Sequence, residues 1–146
     1  DEVSIWAFNS TGLSNHELFT VDGSGNITAP GTIQIGNHRK EGSLTSTIAS
    51  TSPTNVVMYA SADYVGSKLI VTVTDTVTGD TQITEALILT VNGGTPKITT
   101  YGTMYTSANA LASFDVANVS TNTALEVTMA SSNSSTVKVA YTLIDV

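Results

Sequence analysis

Cysteine is missing from all 146 residues, histidine occurs only at His16 and His38, and lysine and arginine together number five. No disulfide can hold such a fold, so its stability must come from packing or from neighbouring chains. Five cations against twelve acids leave a formal net charge of −7. Affinity for nucleic-acid backbones comes largely from Lys and Arg displacing counterions, so nucleic acid and anionic membrane surfaces are set aside as partners. No run approaches the roughly 18 consecutive apolar residues that a membrane-spanning helix needs.

Charged residues make up 12% of the chain, about half the usual share of roughly 25%. The polarity comes instead from 25 Thr, 17 Ser and 10 Asn. Thr and Val suit a pleated, half-buried surface, while Ser, Asn and Gly favour turns, so the composition is that of an all-β protein. A fold of this size buries roughly 68–70% of its unfolded surface, enough for one core. The chain opens on Asp1 rather than Met and reads as a processed or excised piece.

Residues 1–17 read as an N-terminal arm. Val3, Ile5 and Ala7 alternate there with Ser4, Trp6 and Phe8, so both faces are partly apolar and need cover on two sides. Residues 18–54 read as a short stem-like segment and linker. The turn clusters Asp22-Gly23-Ser24-Gly25-Asn26 and Pro30-Gly31 leave strands of only three or four residues between them. Strands that short are marginal alone and gain stability when several chains wind together. A polar bridge over 37–54, with Arg39, Lys40, Glu41 and a Ser/Thr-rich stretch to Pro53, is where the domain boundary is expected.

Residues 55–146 read as a globular domain. Val57 and Tyr59 oppose Val56, Met58 and Ala60, and Leu69, Val71 and Val73 alternate with Lys68, Thr72 and Thr74. After the turn Thr78-Gly79-Asp80-Thr81, the residues Ile83, Leu87, Leu89 and Val91 share one face, interrupted by Glu85. Asn92-Gly93-Gly94 suits a tight hairpin into a strand over 98–105. Leu125, Val127 and Met129 then alternate with Glu126 and Thr128, a loop over 131–135 reverses the chain, and Val137, Val139, Tyr141 and Leu143 return. No segment has a helical period. Short strands with frequent turns predict an antiparallel β-sandwich or jelly roll. Its core is expected from Leu69, Val71, Val73, Leu87, Leu89, Leu125, Val127, Val137 and Val139.

Catalysis needs a nucleophile, a base and an oxyanion site, or a metal cage, in one place. The sequence offers two histidines, no cysteine and no Gly-x-Ser-x-Gly elbow, so the chain is read as non-enzymatic, without cofactor or metal. Asp22, Ser24 and Asn26 begin the oxygen spacing of a calcium loop, but Ile33 stands where an EF-hand requires Glu, which leaves a Gly-rich turn. His16 and His38 stand outside any ligand cluster and read as solvated. Sequons begin at Asn9, Asn26, Asn118 and Asn133, about the number that so much Ser and Thr produces by chance. Tyr64, Tyr101 and Tyr105 are candidate glycan-binding residues, since their rings offer apolar faces and polar edges to a sugar. Tyr101 and Tyr105 are expected on one strand face about 13 Å apart. Packing in a core or an interface is the competing role for these rings.

From Leu18 the run Leu-Phe-Thr-Val-Asp-Gly-Ser-Gly-Asn-Ile, followed by Ala-Pro-Gly-Thr-Ile-Gln-Ile-Gly, resembles stem segments of phage tail fibres and head fibres. In such proteins three chains wrap short strands around a common axis. The resemblance implies that Phe19, Val21, Ile27, Ile33 and Ile35 face neighbouring chains. Trp6 and Phe8, apolar in a strand too short to bury them, join that trimer interface. Residues 55–146 are similar to a β-rich domain in virion structural proteins of cyanophages. The similarity lies in Glu85-Ala86-Leu87-Ile88-Leu89-Thr90, in 98–106, in Leu111-Ala112-Ser113-Phe114-Asp115-Val116 and in 136–144. It implies a place on the virion surface, as a homotrimer, beside other capsid or tail proteins.

Together these readings predict an antiparallel β-sandwich or jelly roll preceded by an N-terminal arm or short trimeric β stem. The expected function is that of a phage virion surface structural protein, either a fibre head or a capsid decoration protein. The alternative is a carbohydrate- or receptor-binding module of a tail fibre or bacterial surface adhesin, with host surface glycan as its ligand. A donor strand of pilus type needs a cleanly alternating apolar face, which residues 3–8 lack.

Overall fold

The computed structural model describes residues 3–8, 15–21, 23–24, 27–28, 33–35, 39–91 and 93–145. Among them run the strands β1 (Val3–Phe8), β2 (Asn15–Val21), β3 (Ile27–Thr28), β4 (Ile33–Ile35), β5 (Arg39–Ile48) and β6 (Thr54–Ala60). There follow β7 (Tyr64–Asp75), β8 (Thr81–Leu89), β9 (Lys97–Tyr105), β10 (Ala112–Val119), β11 (Asn122–Met129) and β12 (Ser135–Asp145). No helix occurs among the described residues. The chain divides into two compact units, Asp1–Ile33 and Gln34–Val146.

In the first unit β1 pairs antiparallel with β2, Val3 opposite Val21 and Phe8 opposite Asn15, and β3 pairs with the end of β2. The stretch expected as an arm is therefore a strand partnered within its own chain. β3 and β4 have two and three residues, as short as the spacing of turn clusters predicts.

Two further sheets follow, one ordered β4-β5-β12-β7-β8-β9, antiparallel from β5 to β9, and an antiparallel one ordered β10-β11-β6. Leu69, Val71 and Val73 of β7 and Val137 and Val139 of β12 pack in one core with Leu125 and Val127 of β11 and Val57 of β6. Strand side chains alternate between faces, and the seven core positions expected on β7, β11 and β12 are at most 1% exposed.

Two expectations are corrected. Residues 39–48, read as linker, form β5, which pairs along its whole length with β12 from Arg39–Ile144 to Ile48–Ser135. Of its large apolar side chains only Leu44 and Ile48 reach the core, so the strand carries almost no hydrophobic signal. The loop after β11 carries the chain to the other sheet, where β12 lies between β5 and β7. Finally, β8 buries the face opposite to the one expected. Leu69, Val71 and Val73 stand opposite Ala86, Thr84 and Gln82, and ladder partners share a face. Gln82, Thr84, Ala86 and Ile88 are consequently buried, while Leu87 and Leu89 are 42% and 58% exposed.

A buried polar side chain requires partners, and Gln82 has them. Its Oε1 accepts from the Leu111 and Ala112 N–H groups at 2.6 and 3.1 Å, and its Nε2 donates to the Ala112 carbonyl at 3.0 Å. It thereby fastens β8 to the start of β10 across the sandwich. Tyr59 acts similarly within the core, its hydroxyl lying 3.1 Å from Ser67 Oγ and accepting from Thr90 Oγ1 at 3.0 Å.

Asp75 closes the β7–β8 turn. Its Oδ1 accepts from the Val77 and Thr78 N–H groups at 2.8 and 3.1 Å, and its Oδ2 accepts from Asn133 Nδ2 at 2.8 Å. The Asn133 amide first, then the Thr78 N–H, hold this carboxyl below its ordinary value against the opposing push of burial, with the Val77 N–H adding to the lowering. A value lower in the folded than in the unfolded chain gives stability that is complete above about pH 4 and lost as pH falls through the folded value. Urea midpoints at pH 6 and pH 3 should therefore differ less for Asp75→Asn than for the parent chain.

Candidate interaction face

The outward side of the six-stranded sheet follows from its register. One row across β5, β12, β7, β8 and β9 reads Ser43, Ala140, Ile70, Glu85 and Tyr101. The adjacent row reads Glu41, Thr142, Lys68, Leu87 and Thr99, and the next Arg39, Ile144, Gly66, Leu89 and Lys97. On the other flank lie Thr45, Lys138, Thr72, Ile83 and Met104. These side chains point away from the core, because the alternate positions on the same strands point into it.

Seven large apolar residues on this face, Ile70, Ile83, Leu87, Leu89, Tyr101, Met104 and Ile144, are between 37% and 66% exposed. Single exposed apolar residues are ordinary, but seven on one sheet face, ranged on either side of the Lys68–Glu85 pair, mark a surface that meets something. A shallow apolar groove runs over Val65, Leu87, Leu89, Ile98 and Ile144. A second lies beside it, lined by Arg39, Glu41, Lys68, Ile70 and Tyr141.

Charge is unevenly divided. Arg39, Lys68, Lys97 and Lys138 sit on this face, and among the described residues the acids that join them are Glu41 and Glu85. Lys68 Nζ lies 3.0 Å from Glu85 Oε1, and Arg39 pairs with Glu41. The hydrogen bond to Glu85 and then its charge, with a smaller contribution from Tyr101, raise the Lys68 ammonium above its ordinary value. The pair is exposed, so it orients side chains more than it stabilises the fold. On the outward side of the three-stranded sheet, Asp115 stands directly opposite Glu126.

The three tyrosines proposed for sugar binding do not converge. Tyr64 packs edge-on against Tyr59 with ring centroids 5.9 Å apart and belongs to the flank of the core. Tyr101 faces outward opposite Glu85, whereas Tyr105 stands opposite inward-facing Gln82. A bulge separates the two rings: from Ile83 to Glu85 on β8 the partner strand advances from Met104 back to Tyr101, one residue more. Gly102, at φ +63°, absorbs the extra residue, a conformation that glycine adopts without strain. A glycine inside an otherwise regular strand was the available signal.

Among residues expected at a trimer interface, Val21 is half-buried and Ile33 is exposed. The side chains of Trp6, Phe8, Phe19, Ile27 and Ile35 lie outside the described residues. So do His38, Asn92 and the side chain of His16. Among the described residues no three His, Cys, Asp or Glu groups gather as metal ligands. No protein-family model matches the chain, and no curated protein matches it in sequence.

Proposed function

We propose that the chain is a non-enzymatic structural protein of a bacteriophage virion surface, a fibre head or capsid decoration protein, acting as a homotrimer. The observation that carries this reading is the outward face of the six-stranded sheet. Large apolar side chains gathered on one exposed face mark contact surfaces, and a sheet face with seven of them fits a module that is covered by protein. The phage setting rests on the sequence resemblance of the stem-like and globular segments. In this reading the segment before β4 winds with two neighbours as a stem and the sandwich, of jelly-roll type, forms the head.

Sedimentation velocity at micromolar concentration should give a trimer, and antibody raised against the chain should label the surface of intact particles, on capsomers for a decoration protein and on the tail for a fibre. A stable monomer overturns the oligomeric part, and unlabelled particles overturn the setting. The carbohydrate-binding alternative draws support from Tyr101, which is 39% exposed and stands opposite Glu85. A glycan array decides it: binding abolished by Tyr101→Ala establishes a receptor site, and no binding by the parent chain removes the alternative.

A further inference from the structure

We infer that the outward face of the six-stranded sheet is a subunit contact, seated on the acidic surface of a second copy of this chain. The inference rests on the homotrimer reading and moves its contact from the segment before β4 onto the sandwich itself.

Charge supplies the first argument. The face holds four cations and two acids, a balance of +2, while the other described residues of the sandwich hold one cation, Lys40, and six acids, Asp63, Asp75, Asp80, Asp115, Glu126 and Asp145, a balance of −5. An apolar surface carrying Lys68, Lys97 and Lys138 is complementary to the outward side of the smaller sheet, where Asp115 stands opposite Glu126. It is not complementary to itself, because a two-fold, face-to-face pairing would bring these cations against their own copies, and like charges across a contact cost several kcal/mol.

Symmetry supplies the second. Around a three-fold axis every contact is heterologous, joining two different patches. A chain that separates its charge into a cationic apolar face and an acidic remainder provides such a pair.

Strand β9 supplies the third. It is the edge of its sheet, and eight of its nine residues are exposed. Long exposed edges are normally blunted or covered. A neighbour seated over Leu87, Leu89 and Met104 would cover β9 as well.

The experiment uses the full chain. Sedimentation is followed at about 0.05 M and 0.5 M salt, since exposed charge pairs are screened over that range. It is repeated on Lys138→Glu and on Leu89→Ser, two exposed positions whose replacement leaves the core alone. Circular dichroism melts show that each variant is folded. Zero-length carbodiimide coupling of mixed ¹⁴N and ¹⁵N chains then identifies amine–carboxylate links between copies. The inference requires association weakened by salt, weakened roughly tenfold or more by either substitution, and mixed-isotope links from Lys68, Lys97 or Lys138. A trimer indifferent to both substitutions, without such links, overturns the inference and leaves the homotrimer standing. Species that grow without limit through these lysines keep the contact and overturn the trimer. A monomer at both salt concentrations overturns both.

Discussion

Leu125→Ala should destabilise the sandwich by about 2–5 kcal/mol, whereas Leu89→Ala should change it by no more than about 0.5 kcal/mol. Leu125 is fully buried in the middle strand of the smaller sheet, between Val116 of β10 and Val57 of β6. Its truncation leaves a cavity that the larger sheet cannot collapse to fill. Leu89 is 58% exposed, so its truncation removes surface already in contact with water. Chemical denaturation midpoints measure both. Equal losses at the two positions would mean that β8 presents its other face to the core.

Gln82→Met should be nearly as damaging although it preserves the length of the side chain. It removes the only described side-chain partners of the Leu111 and Ala112 N–H groups and of the Ala112 carbonyl. Each buried polar group left without a partner costs about 1–3 kcal/mol, so a loss of at least about 2 kcal/mol is expected. Faster hydrogen exchange at Leu111 and Ala112 should accompany it. A Gln82→Met chain as stable as the parent would show that the start of β10 finds other partners.

These two residues also explain what could be read from the sequence. β7, β11 and β12 announce themselves because Leu and Val recur at their buried positions, even though Ile70 and Ile144 stand among the exposed ones. On β8 both faces are candidates, and hydrophobicity alone selects the wrong one. Ile83, Leu87 and Leu89 outweigh Gln82, Thr84, Ala86 and Ile88, yet the smaller and more polar set is buried because its hydrogen bonds are met inside. Glu85, in the middle of the larger set, was the mark of the solvent side. The same inversion hid the interaction face, since an alternating apolar strand looks identical whether it faces the core or a partner. β5 escaped notice because a strand with two core residues and eight others carries little pattern. The separation of Tyr101 from Tyr105 depended on one bulge, which shifts parity without changing composition.

The place of β12 between β5 and β7 governs how the chain must be assembled in time. Pairs such as Arg39 with Ile144 join segments about a hundred residues apart, and folding slows as such distant pairings come to dominate. Until residues 135–145 have left the ribosome, the β7-β8-β9 meander and β5 each hold an open edge, the condition in which nascent chains are prone to pair wrongly. The larger sheet is therefore completed by a keystone that arrives late, and a nascent chain arrested at residue 134 would hold two incomplete sheet fragments where the finished protein has one.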